Sequence, residues 1–130
     1  MIKFAYTILY VEDVNKSIQF YEQAFGFNKK FISPDNSYGE IISGTTTLSF
    51  ASKELALSNL KDGFIQSSLN TKPFGIEIGL TTDNVPGTIK KAIENGAKLY
   101  AEPKEKPWGQ IVGYVRDIDG FLIEICTPVI

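Results

Sequence analysis

The fold of this chain is decided by residues 106–128, which read KPWGQIVGYVRDIDGFLIEICTP. The pattern predicts one strand over 110–116 and a second over 121–126, because both segments are rich in β-branched and aromatic residues. The turn between them, Asp117-Ile118-Asp119-Gly120, ends in a glycine that can adopt the positive φ of a tight hairpin. The stretch is therefore predicted to form the closing hairpin of a β-sheet.

One carboxylate interrupts the second of these strands. Because side chains alternate along a strand, Glu124 lies on the face opposite Ile123 and Ile125. A carboxylate within an apolar strand is costly unless it has a partner, so the function of the chain depends on what Glu124 faces.

The composition is that of an ordinary globular domain and excludes several classes of function. The chain has 130 residues, of which 43% are hydrophobic and 22% charged, and its net charge of −2 offers no attraction to nucleic acid or to an acidic membrane. It contains no histidine, which excludes Ser-His-Asp and Cys-His triads and imidazole metal ligands. No apolar run is long enough for a membrane span, and we predict no signal peptide. The single Cys126 cannot form an internal disulfide, and we predict a cytoplasmic location.

The rest of the sequence predicts alternating strands and helices. Strands are predicted over residues 4–11, 27–33, 38–43, 46–51, 74–81 and 98–101. One helix is predicted over 14–24, between an Asp13 cap and a terminal Gly26, and a second runs from an Asp83 or Asn84 cap to Gly96. A helical turn is predicted near residues 54–60, and a loop with two prolines over residues 102–107.

The predicted elements repeat, in the order β-α-β-β-β. Residues 14–18 (VNKSI) correspond to 85–89 (VPGTI), Tyr38-Gly39 to Trp108-Gly109, and 47–50 to 122–125. The sequence thus predicts an α+β fold of two tandem βαβββ modules, with paired curved mixed sheets around a shared cleft. Module 1 spans about residues 1–52 and module 2 about 74–130, and the connection 53–73 is either a linker or a lid.

The repeat pairs Tyr6 with Glu77 and Ser49 with Glu124, all on faces opposite the helix-packing residues. These four side chains are predicted to converge on the cleft. If Glu77 and Glu124 approach each other, one pKa is raised and the pair could act as general acid and base. The alternative is that each glutamate faces solvent or pairs with a basic side chain across the sheet.

Aromatic side chains are predicted to line the same cleft. Tyr38, Trp108 and Tyr114 suit a flat organic ligand, with Gln110 or Arg116 adding polar contacts. The alternative for the aromatic residues is a place in the core or in a dimer contact.

The repeated module, the opening YTILYVEDVNKSIQFYEQAFGF and the closing PWGQIVGYVRDIDGFLIEI resemble the vicinal oxygen chelate superfamily, which includes glyoxalase I, bleomycin resistance proteins and extradiol dioxygenases. The resemblance covers nearly the whole chain. Enzymes of this family bind a divalent metal through one inward residue on each of four strands, and these positions fall at Tyr6, Ser49, Glu77 and Glu124. Only the two glutamates are capable carboxylate ligands, so the resemblance implies half a metal site.

The resemblance implies a metal-independent, homodimeric small-molecule-binding protein without a cofactor, similar to bleomycin-resistance proteins that sequester antibiotics. The alternative is a glyoxalase-like lyase or isomerase, or a dioxygenase-like enzyme, in which Glu77 and Glu124 are catalytic and hold a divalent metal weakly or act as an acid–base pair. A third possibility is a fold retained for protein association. No nucleic acid or membrane partner is expected.

Overall fold

The computed structural model describes residues 1–129, and the chain divides into two units between Gln66 and Ser67. The elements of the first unit are β1 (Thr7–Val11), α1 (Val14–Phe25), β2 (Asn28–Ile32), β3 (Tyr38–Ser43), β4 (Thr46–Ser52) and α2 (Lys53–Asn59). Its four-stranded sheet has the order β1-β4-β3-β2, in which β1 runs parallel to β4 and the other neighbours are antiparallel.

The second unit repeats this architecture. Its elements are β5 (Glu77–Thr81), α3 (Val85–Glu94), β6 (Lys98–Glu105), β7 (Ile111–Arg116) and β8 (Leu122–Cys126). Its sheet has the order β5-β8-β7-β6, with β5 parallel to β8. The predicted α+β fold of two tandem βαβββ modules with mixed sheets is confirmed. Within residues 1–129 no helix has both the length and the apolar character that a membrane span requires.

The two long helices begin where the sequence predicts. The Asp13 side chain accepts a hydrogen bond from the Lys16 amide, and Asn84, rather than Asp83, caps α3 by accepting from the Gly87 amide. Each cap satisfies a backbone donor that the first helical turn leaves free. The apolar side of each helix then packs on its sheet, as when Tyr21 of α1 meets Phe50 of β4 with ring centroids 5.3 Å apart.

The glycine at the same place in each sheet lets the helix approach closely. A Cβ on Gly39 would lie 2.5 Å from Ile18 Cδ1, and a Cβ on Gly113 would lie 2.6 Å from Ile89 Cδ1. Gly39 therefore corresponds to Gly113, and the predicted correspondence of Gly39 with Gly109 is wrong. The register agrees, because Gly39 pairs with Phe50 of β4 and Gly113 pairs with Ile125 of β8.

Strand β6 is longer than predicted, and the predicted loop over residues 102–107 is mostly strand. It pairs with β7 as far as Glu105, with register shifts between Leu99 and Lys104. Pro103 is tolerated there because it lies in the register shift between Ala101 and Lys104, on a strand at the edge of the sheet. Conversely, β1 and β5 begin three residues later than predicted, at Thr7 and Glu77.

Arg116 fastens the start of the second unit to the hairpin turn. Its buried guanidinium donates to the carbonyl oxygens of Gly120 (2.9 Å), Thr71 (2.7 Å) and Ser68 (2.9 Å). The side chain predicted as a polar ligand contact is thus committed to the backbone, and it orders part of the predicted connection.

Candidate functional site

A row of polar side chains crosses the sheet of the second unit, on the face opposite α3. Tyr114 of β7 and Glu124 of β8 are direct ladder partners, and the Tyr114 hydroxyl donates to Glu124 Oε1 at 3.0 Å. On the other side Gly79 of β5 pairs with Glu124, so Glu77, two residues earlier, shares this face. We call Glu77, Tyr114 and Glu124 the polar row.

The two carboxyls of the polar row are close enough to affect each other. The pKa of Glu77 is raised from its ordinary value of 4.5, first by desolvation, then by the negative charge of Glu124 and by a hydrogen bond to it. Glu77 therefore keeps its proton to higher pH than a fully solvated glutamate. The arrangement matches the prediction that the pKa of one glutamate is raised if the two approach.

Glu124 is the common acceptor of this row. Burial, followed by the hydrogen bond to Glu124, raises the pKa of Tyr114 to about 12. Burial and then Glu124 also raise the pKa of the Cys126 thiol, which additionally lies 3.6 Å from the Leu80 carbonyl oxygen. The carboxylate at the centre of the strand thus has the partners that its position requires.

An exposed indole lies in the turn that precedes β7. Trp108 is 66% exposed, and its Nε1–H donates to Gln110 Oε1 at 2.8 Å. The Gln110 amide in turn donates to the Thr127 carbonyl oxygen at 2.8 Å. These two bonds orient a large aromatic surface that remains open to solvent. Gln110 also hydrogen-bonds Cys126, which links it to the Glu124 cluster.

The first unit carries a second polar cluster, and this one is largely closed. The Tyr38 hydroxyl donates to Glu40 Oε2 at 2.7 Å and lies 3.0 Å from Ser49 Oγ. Lys30 Nζ lies 3.6 Å from Glu40 Oε1. Ser49 has no exposed surface and Glu40 is only 8% exposed, whereas Tyr6 is exposed. Burial and then the hydrogen bond to Glu40 raise the pKa of Tyr38 to about 12.

Sequence reasoning missed Glu40. The signal was present, because alternation along residues 38–43 places Glu40 on the face of Tyr38, opposite the helix-facing Gly39. With Gly39 aligned to Gly113, Glu40 takes the position of Tyr114. The ladder partner of Glu40 is Ser49 and that of Tyr114 is Glu124, so the acid and the hydroxyl exchange strands between the two units.

The predicted residues therefore fall into two groups. The structure brings Glu77, Glu124 and Tyr114 together in the second unit, and Tyr38 and Ser49 together in the first. In the second unit Trp108 also contacts Gln110 directly, through the bond from Nε1 to Oε1.

The side chains of the second unit do not fit a divalent metal of the kind that the family resemblance implies. Metal ligands must be deprotonated, and the raised pKa of Glu77, caused by desolvation and by the charge of Glu124, opposes that deprotonation. In the part of the chain that the structure describes, no three His, Cys, Asp or Glu side chains are grouped so that they could hold a metal ion. The carboxyl pair is better suited to proton sharing than to chelation.

Comparison with protein families identifies the class. Residues 4–130 match the family model described as a glyoxalase-like domain, so the chain belongs to this family. The resemblance to the vicinal oxygen chelate superfamily is thereby confirmed. No protein with a curated description matches the chain.

Solved structures show the same fold. A glyoxalase-related enzyme from Fulvimarina pelagi is 19% identical, with a TM-score of 0.81 over 98% of this chain and 89% of that one. A hypothetical protein from S. aureus is 27% identical, with a TM-score of 0.80 over 98% of this chain and 95% of that one. A glyoxalase/bleomycin resistance protein/dioxygenase family enzyme from Burkholderia phytofirmans PsJN is 23% identical, with a TM-score of 0.78 over 97% of this chain and 98% of that one.

The raised pKa of Glu77 makes a testable difference to stability. Between 4.5 and the raised pKa the folded protein holds a proton that the unfolded chain has released, so stability falls as pH rises through this window. A glutamine at position 77 cannot lose this proton. We expect Glu77→Gln to be more stable than wild type at pH 8 by roughly 0.5–1 kcal/mol, a small effect because the side chain is exposed, and equal to it below pH 4.5.

Thermal melts across this pH range measure the effect. The matched control is Glu105→Gln on the exposed edge strand β6, which we expect to follow the wild-type curve. If the stability difference between Glu77→Gln and wild type were the same at every pH, the raised pKa of Glu77 would be contradicted.

Proposed function

We propose that this protein binds a small organic molecule, without a metal, at the polar row and the adjoining Trp108. The observation that supports this function is the proximity of Glu77 to Glu124, because desolvation and the charge of Glu124 raise the pKa of Glu77 and so oppose its deprotonation as a metal ligand. Ligand sites combine an apolar or aromatic surface with a few oriented polar groups, and the exposed indole beside this row meets that description.

The accessibility of the polar row supports the same proposal. Glu77 is exposed and Tyr114 and Glu124 are half-buried, so a ligand can reach all three. In the first unit Ser49 is enclosed, and Tyr38 and Tyr6 offer the accessible surface. Tyr6, Tyr38, Ser49 and Gln110 stay predicted ligand contacts, and the homodimer, the cytoplasmic location and the sequestering of antibiotics also stay predictions.

Calorimetric titration with Mn²⁺ and Ni²⁺ tests the metal-independent character of the site. We expect no stoichiometric binding, because the raised pKa of Glu77 opposes metal ligation and a divalent ion would find only two carboxylates in the polar row. Tight binding to wild type that is abolished in Glu124→Ala would overturn the proposal. Tight binding that persists in Glu124→Ala would place a metal elsewhere in the chain.

A thermal-shift screen tests binding itself. Stabilisation grows with the logarithm of ligand concentration over Kd, so a micromolar ligand at millimolar concentration raises the free energy of unfolding by about 4 kcal/mol. Planar antibiotics, thiol adducts and 2-oxo acids form a suitable panel. A complete absence of stabilisation would favour a fold retained for protein association.

The second candidate is an enzyme that uses the same two carboxyls as an acid–base pair. The observation that favours it is the raised pKa of Glu77 beside Glu124, since one carboxyl then holds a proton while the other accepts one. Lyase or isomerase activity that is lost in Glu77→Gln, with ligand binding retained, would favour the enzyme over the binding protein.

A further inference from the structure

The hydroxyl proton of Tyr114 is already used within the protein. A phenol has one proton to donate, and the Tyr114 proton is directed at Glu124 Oε1, 3.0 Å away. A hydrogen bond to a carboxylate is stronger than one to a neutral acceptor, so a ligand competes poorly for this proton. Towards a ligand, Tyr114 therefore presents an oxygen lone pair.

The neighbouring amide commits one of its two donors to the backbone. The Gln110 Nε2 donates to the Thr127 carbonyl oxygen, and its Oε1 accepts from Trp108 Nε1. The indole N–H of Trp108 therefore already has an acceptor, and a ligand can contact the face of its ring. The N–H groups of Trp108 and Gln110 that these two bonds use are thus directed at protein acceptors.

The same pattern recurs independently in the first unit, although the acid sits on the other strand. There the Tyr38 proton goes to Glu40 Oε2 at 2.7 Å, and the carboxylate is held by Lys30. Since Tyr38 has no second proton, Ser49 must donate to it across their 3.0 Å contact. In both units a glutamate turns a tyrosine into a hydrogen-bond acceptor.

We propose that the ligand of the polar row presents hydrogen-bond donors, N–H or O–H groups, to the oxygens of Tyr114 and Glu124. A ligand with acceptors alone would leave these oxygens without donors, and an unpaired buried polar group is costly. Glu124 is thus the residue that determines specificity, because it fixes the direction of the Tyr114 hydrogen bond. This inference rests on the proposed binding function.

Matched neutral probes test the inference. Indole and benzofuran have nearly the same size and shape, but indole carries an N–H donor where benzofuran carries a ring oxygen. Titrations of ¹⁵N-labelled protein with each probe, followed by NMR, report on the site directly. Trp108 is the sole tryptophan, so its indole N–H gives a single side-chain resonance of that kind.

We expect indole to bind about tenfold more tightly than benzofuran, the difference that one hydrogen bond makes. Tyr114→Phe removes the acceptor, so it should weaken indole binding about fivefold to tenfold and leave benzofuran unchanged. Tyr100→Phe, which alters an exposed tyrosine on β6, is the matched control and should change neither affinity.

The outcomes separate this inference from the proposed function. Benzofuran binding as tight as that of indole, or equal losses for both probes in Tyr114→Phe, would overturn the donor specificity and leave a binding site in place. The absence of any perturbation by either probe at millimolar concentration, together with a negative thermal-shift screen, would count against the binding function and the inference alike.

Discussion

Alanine at position 120 is expected to destabilise the second unit by about 3–5 kcal/mol, through strain and a clash that act together. Gly120 has a φ of +91°, which an L side chain rarely adopts. A Cβ there would lie 2.6 Å from the Ser68 carbonyl carbon and 2.7 Å from its oxygen. Because these are backbone atoms that Arg116 holds in place, the contact cannot be relieved by a change of rotamer.

Urea denaturation of Gly120→Ala gives the measurement, and Gly44→Ala is its matched control. Gly44 also has a positive φ, of +58°, but a Cβ there would meet no atom within 4 Å. The control isolates the conformational strain and should cost about 1 kcal/mol. Equal losses in the two variants would show that the segment at Ser68 yields, and would contradict the close approach.

Replacing Arg116 by alanine is expected to cost about 3–5 kcal/mol. Arg116 is 7% exposed, and its guanidinium donates to the carbonyl oxygens of Ser68, Thr71 and Gly120. Removing the side chain leaves these carbonyl oxygens without a donor where water has limited access, and it also opens a cavity. Arg116→Lys should recover only part of the loss, because an ammonium cannot match the planar fork of three bonds.

Lys98→Ala is the control for this experiment, since Lys98 is the ladder partner of Arg116 but is exposed. Its cost should stay within about 0.5 kcal/mol. The double variant Gly120→Ala/Arg116→Ala should lose less than the sum of the single variants, because both act on the Ser68 contact. Strict additivity, or an Arg116→Ala protein as stable as Lys98→Ala, would contradict the fastening role.

The local features of the fold were predictable because they depend on short-range chemistry. Asp13 and Asn84, the second of two predicted cap candidates, mark the starts of the two long helices. The alternation of side chains along a strand placed Glu124 on the face opposite Ile123. The repeat also predicted that Glu77 and Glu124 share a face. The parallel pairing of β5 with β8 places both side chains on the same face of the sheet.

What the sequence did not reveal depends on register and on long-range contacts. Matching Trp108-Gly109 to Tyr38-Gly39 put the third strands of the two units out of register, and the role of Glu40 was therefore missed. The sequence does not show which helix residue packs against a given glycine. The role of Arg116 was also hidden, since its three acceptors are backbone carbonyls, one in the hairpin and two nearly fifty residues earlier in the chain.

The paired glycine–isoleucine contacts also measure where the two units differ in length. Ile18 and Ile89 are 71 residues apart, but Gly39 and Gly113 are 74 apart, so three extra residues lie between helix and third strand in the second unit. The outer strand takes them up, with eight residues in β6 against five in β2. A peptide tag or reporter loop is therefore best inserted beside this edge strand, where a change of length has been absorbed without altering the glycine–isoleucine contact.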